Sequence, residues 1–180
     1  MVPVTATIHR LSVDDVYKMV ESGVLQDNDR VELVEGVLVD MVPIGAEHED
    51  AVQWLIDRFA GVAGRPWKVR VQSMLLASGG YLLPDILVID ELPRGTLPTS
   101  AHIVIEVAQS SHARDHEKAR SYAAADVAEY WIVDLIARSV IVHRGPLAGA
   151  YQEITTFADG ASVKPLLAGA PAVDVSELLG

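Results

Sequence analysis

Cysteine is absent from the 180 residues, which excludes disulfides and thiolate-bound zinc or iron–sulfur sites. No apolar run is longer than a strand, so no segment reads as a transmembrane helix. The opening MVPVTATIHR has neither the basic start nor the apolar core of a signal peptide, and a cytoplasmic protein is the simplest expectation. Positive charge is scarce as well. Lysine and arginine number 14 against 25 aspartates and glutamates, a net charge of −11 at pH 7 that repels polyanions at long range and leaves any nucleic-acid contact to a local site. Two loose basic groups, Arg65 with Lys68 and Arg70, and Arg114 with Lys118 and Arg120, are too sparse to mark such a surface and read as solvated charges. No linker-like tract of Pro, Gly or Ser divides the chain, which therefore reads as one domain over residues 1–180.

What the chain does carry is a mixed succession of helical and strand patterns. Ser12, with Asp15 three residues on, opens SVDDVYKMVESG as a capped helix that Gly23 stops. RVELVEGVLVDMVP splits around Glu35–Gly36 into a hairpin or bent strand pair, the glycine taking the awkward dihedral. In AEHEDAVQWLIDRFAGVAG, Val52, Leu55, Ile56 and Phe59 recur at the spacing of one buried helical face. WKVRVQSMLLAS and YLLPDILVID read as an antiparallel pair across a Gly79–Gly80 turn, with HIVIEVA as the third strand of the group. SSHARDHEKARSYAAA begins a helix at Ser110 or Ser111, with Lys118 and Tyr122 one turn apart on the same face. EYWIVD is a further strand, and SVIVHRG with YQEITTF an edge hairpin with a longer loop. This order predicts an α/β fold with a mixed β-sheet flanked by helices.

Two of the apolar strands hold an acid. Asp85 lies in the middle of YLLPDILVID and Glu106 in HIVIEVA, and a carboxylate buried alone among apolar neighbours is costly as an ion. Alternation groups Leu83, Asp85, Leu87 and Ile89 on one face and Val104, Glu106 and Ala108 on another, so neighbouring strands would aim both acids into one crevice. Two readings are open. Each acid caps backbone amides or pairs with an arginine, or a divalent cation offsets both; oxygen ligands without cysteine favour magnesium or manganese over zinc. Other signals are weaker. His112 and His116 lack the glutamate of a zinc-protease motif, and Trp54, Trp67 and Trp131 read as core or dimer contacts rather than base-stacking platforms.

VELVEG, His48 at the opening of a helix, PDILVI, VIEVAQSS, a helix with Asp115, Lys118 and Tyr122, and VAEYWIVD occur in an order that resembles the Uma family of restriction endonucleases, a bacterial branch of the PD-(D/E)XK nuclease-like superfamily. The resemblance runs over roughly residues 10–178. It implies a restriction-endonuclease-like mixed β-sheet flanked by helices, and a metal-dependent endonuclease that hydrolyses phosphodiester bonds in DNA with Mg²⁺ or Mn²⁺. It further implies Asp85 and Glu106 as metal ligands, the Val107 carbonyl as a third, Lys118 as the catalytic lysine and Glu32 as a further carboxylate, with Glu35 its nearest competitor. The superfamily's usual lysine position is Ala108 here, and in the Uma branch a lysine on the following helix takes the role. Gln109-Ser110-Ser111 departs from the family's Ser-Pro-Ser, and Asp126 stands where a glycine is common. Lys118, beside a polar crevice, is expected to contribute little to folding. A homodimer suits a nuclease that must nick both strands. The alternative is a catalytically silent nuclease-fold protein acting as a binding or assembly module, which the acidic charge favours; a hydrolase acting on a small phosphorylated substrate is a third reading.

Overall fold

Helix α1 (Val13–Glu21) starts at a capping box, in which the Asp15 amide donates to Ser12 Oγ and the Ser12 amide to Asp15 Oδ2. The structure, a computed structural model, describes residues 7–26, 28–41, 45–77, 79–109 and 112–180, and within that last stretch no side chain before residue 118. The helix start expected at Ser110 or Ser111 lies outside the described residues. Strands β1 (Val31–Val34) and β2 (Val37–Asp40) form the predicted hairpin, turning at Glu35 and Gly36 with φ of 47° and 78°. Helix α2 (Ala46–Ala60) buries Ala51, Val52, Leu55 and Phe59 on its predicted face. Strands β3 (Trp67–Val71), β4 (Leu75–Ala77), β5 (Gly80–Leu82), β6 (Ile86–Asp90) and β7 (Ile103–Ala108) lead into α3 (His112–Ala124). After it come β8 (Glu129–Asp134), β9 (Ser139–Leu147), β10 (Ala150–Ala158), the short pair β11 (Ser162–Val163) and β12 (Val173–Asp174), and α4 (Val175–Leu179).

A six-stranded sheet runs β10-β9-β8-β7-β6-β3, and a four-stranded sheet runs β2-β1-β5-β4. Within the larger sheet β7 and β8 are parallel, joined by α3 as a crossover, and the other pairings are antiparallel. Its central strands are buried on both faces, which explains their nearly unbroken apolar sequences. One face sets Ile86, Val88, Ile105 and Trp131 against Leu55 and Phe59 of α2. The other packs Leu87, Val104, Tyr130 and Ile132 against Tyr122 of α3 and Leu75 and Leu82 of the smaller sheet. Trp67 and Trp131 are core residues, as expected. Among the described residues no helix is long and apolar enough to cross a membrane.

Three local expectations need correction. YLLPDILVID is two strands in two different sheets, broken at Leu83, Pro84 and Asp85. Pro84 has no amide to give a ladder and constrains the residue before it. On the opposite arm Gln72 takes φ 43° and donates its amide to the Asp85 carbonyl, so the long hairpin bends from the large sheet into the small one. Asp85 therefore stands at a bend and not in mid-strand. The Gly79–Gly80 turn is shifted as well: Gly79, at φ 78°, is in the turn and Gly80 already in β5, where an added Cβ would lie 1.7 Å from the Leu33 carbonyl oxygen. Finally, β9 and β10 are joined by only Ala148 and Gly149, both at positive φ, the mirror-image turn that suits twisted strands, rather than by a longer loop.

Candidate active site

The break at Pro84 frees Asp85 from the strand alternation. Its Oδ2 accepts the Val107 amide of β7 at 2.9 Å and faces His48 Nε2 at 3.0 Å. His48 arrives from the first turn of α2, whose apolar stripe against the sheet fixes that end of the helix. Glu106 has no comparable freedom. It lies within β7, and its carboxylate is met by side-chain donors. Its Oε1 accepts Lys118 Nζ at 2.9 Å and the Tyr122 hydroxyl at 2.6 Å, both from the same face of α3 as the four-residue spacing predicts. Lys118 also reaches Glu32 Oε1 and Oε2, each at 3.0 Å, and Glu32 Oε1 accepts the Leu83 amide at 2.9 Å. Continuing the β6–β7 register by one residue sets Asp85 opposite Glu106.

All of these groups are buried, Glu32 at 2% exposure and Lys118 at 6%. Lys118 is thus no solvated charge, and the expectation that it contributes little to folding fails on its burial between two carboxylates. Burial pushes the Glu106 carboxyl up; Lys118 opposes this, Asp85 and Glu32 add to it, the Tyr122 hydrogen bond opposes it, and the balance stands at about 7. For Lys118, burial works against the charge but Glu106 and Glu32 outweigh it and hold the ammonium above its ordinary value. Burial, then the neighbouring Glu106, raises Tyr122 well above the ordinary phenol, which keeps it a neutral donor.

The four residues singled out as catalytic, Asp85, Glu106, Lys118 and Glu32, converge, and the Val107 amide meets them at Asp85. Glu35 does not join them; it is an exposed turn residue whose carbonyl accepts Arg10. Two members were not assigned from the sequence. Tyr122 was legible only as a same-face neighbour of Lys118, and His48 as the helix-opening histidine of the Uma resemblance, its role left open between the site and a capping or packing position. The side chains of Asp115, His112 and His116 lie outside the described residues.

Among the described residues, no three His, Asp or Glu side chains stand together so as to hold an ion unaided. The free oxygens matter here. Asp85 Oδ1 and Glu106 Oε2 make no hydrogen bond among the described residues, and neither is a sealed atom; the sealed, unpartnered polar atoms are His48 Nδ1 and Arg65 Nε. A pair of unengaged carboxylate oxygens on adjoining strands is a donor set that fits a hard divalent cation.

The model of the Uma2 family, described as "Putative restriction endonuclease", matches residues 13–175. The chain belongs to the Uma2 family. A crystal structure from Anabaena variabilis ATCC 29413, described as "a putative nuclease belonging to DUF820", is similar to the Uma2 chain with a TM-score of 0.80 and 17% identity, covering 94% of this chain and 97% of that one. At that identity the likeness speaks for the fold, a mixed sheet flanked by helices. A comparison with curated proteins finds no match. Membership of the Uma2 family supports a nuclease as the class of activity.

Proposed function

We propose that this Uma2 protein is an endonuclease that hydrolyses phosphodiester bonds in DNA with Mg²⁺ or Mn²⁺. The observation that carries the reading is the pairing of Asp85 with Glu106 on adjoining strands, each with one oxygen tied to the protein and the other left unengaged. Asp85, Glu106 and the Val107 carbonyl would hold the ion. Bound there, a divalent cation supplies neutralisation of phosphate charge and a lowered pKa for a coordinated water. The protein's own groups set the stage for this. The Val107 amide and His48 fix the orientation of Asp85, and Tyr122 fixes that of Glu106. Lys118, kept charged by Glu32 and Glu106, stabilises the negative charge that builds on the phosphate oxygens in the transition state. The decisive assay measures cleavage of DNA with manganese or magnesium by wild type and Asp85→Asn at equal folded concentration. Cleavage by wild type that Asp85→Asn abolishes supports the reading; equal cleavage by both contradicts it.

A homodimer belongs to the same proposal, since cutting two strands takes two centres. Strand β10 is an exposed edge without proline or lysine, and Ile154 at its midpoint is 62% exposed. Antiparallel pairing of two copies about Ile154 would set Glu153 opposite Thr155, with no like charges facing each other.

A second reading, a catalytically silent binding or assembly module, has its own observation. Lys118 is already engaged by both Glu32 and Glu106 in a buried network that holds together without an ion. Absence of cleavage on any nucleic acid with either metal selects it.

A further inference from the structure

Helix α3 has a second business face. Two to six residues beyond Lys118, Arg120, Ser121 and Ala124 line a cleft of about 470 Å³ whose other walls include the tips of three hairpins. Gly36 comes from the β1–β2 turn, Gly79 from the β4–β5 turn and Gly149 from the β9–β10 turn, all at positive φ. The chain before α1 closes the cleft by a fitted contact. The Leu11 amide donates to the Gly36 carbonyl, Arg10 Nη1 donates to the Glu35 carbonyl, and a Cβ on Gly36 would lie 2.6 Å from the Arg10 Cβ. Only a glycine allows that approach, so Arg10 is seated by construction and not by chance. Arg120 faces it without a hydrogen-bond or ion-pair partner among the described residues. Glu35 is the one acid among the lining residues and is exposed.

In a chain with a net charge of −11, a cleft with two guanidinium groups against a single exposed acid is a local reversal of sign. Guanidinium forks match the oxygens of a phosphate, and glycine-rich turns let such a group approach the backbone closely. The volume exceeds a lone phosphate and falls in the range of pockets that take a small organic ligand such as a nucleotide unit. Arg120 and Ser121 also share α3 with Lys118, only about 3–5 Å of helix rise away. We propose that this cleft is a subsite for a non-scissile phosphate of the nucleic-acid strand, gripped by Arg10 and Arg120 while the strand reaches the centre at Lys118. This rests on the nuclease reading for the identity of the strand but not for the anion chemistry.

Binding is measured by fluorescence anisotropy of a short labelled DNA strand in EDTA, where no cleavage intervenes, using the full chain. Arg120→Ala and Arg10→Ala should each weaken binding on the order of fivefold to tenfold and lower the slope of log affinity against log salt by about one. Arg120→Ala, at an exposed helix position, keeps the test valid if Arg10→Ala loosens the Gly36 contact. If wild type binds the strand with the arginine dependence intact but never cleaves DNA with manganese or magnesium, the nuclease reading falls and the subsite stands. Unchanged affinity and slope in both arginine variants, or no binding of DNA by wild type, overturns the proposal. So does arginine-dependent binding of inorganic phosphate or a nucleoside monophosphate without any binding of the strand, which would assign the cleft to a small phosphorylated ligand.

Discussion

Asp85, at the bend before β6, and Glu106, within the adjoining β7, are stabilised by different means. At the Pro84 break Asp85 can turn to a backbone amide, that of Val107, and to His48 on α2. Glu106, within β7, accepts only side-chain donors, Lys118 and Tyr122 from α3, with Glu32 from the smaller sheet behind the lysine. Asp85 is held by a backbone amide and a neighbouring helix, whereas Glu106 depends on a charged lysine that it shares with a second buried acid, Glu32. The Glu106 side should therefore be the more fragile one and the more sensitive to pH.

Lys118→Ala breaks the comparison most severely. It leaves Glu32 and Glu106 buried together without their cation, and urea unfolding in metal-free, mildly alkaline buffer should show a loss of about 3–5 kcal/mol. Next comes pH. The Glu106 carboxyl stands near 7 in the folded protein against an ordinary value of 4.5, so between those values the folded state holds a proton that the unfolded chain has released. Stability from this group is constant below that window, falls as pH rises through it by on the order of 3 kcal/mol, and is flat above it. Glu106→Gln should remove this dependence, as melting temperatures across the window will show; Asp85→Asn should leave most of it. Tyr122→Phe sharpens the contrast at a smaller scale. Losing the 2.6 Å bond should cost about 1 kcal/mol and move the upper end of the window to higher pH, because that bond favours the ionised form. The smallest effect is expected for His48→Gln, below about 1 kcal/mol in urea unfolding, since the Val107 amide still holds Asp85.

What was legible in the sequence was what local physics decides. The capping box at Ser12 and Asp15, the buried stripe Val52, Leu55 and Phe59, and the apolar strands of HIVIEVA and EYWIVD each depend on neighbours a few residues away. Illegible features depend on which distant element comes near. YLLPDILVID was read as one strand across Pro84, and only the pairing of β5 with β1 and of β6 with β7 divides the segment between two sheets. Lys118 was visible as a residue type on a helix face, while its burial needs Glu32 to arrive from the smaller sheet. The cleft beside Arg120 was invisible for the same reason, being made by three hairpin tips far apart in the chain.

Two carboxylates stabilised so differently are expected to serve one divalent ion. Calorimetric titration of manganese into metal-free protein, above the Glu106 value of about 7, tests it directly by comparing wild type with the Asp85→Asn, Glu106→Gln double variant. Saturable binding in wild type that the double variant loses is the predicted result. Equal affinity in the two proteins, or no binding by wild type, would contradict it.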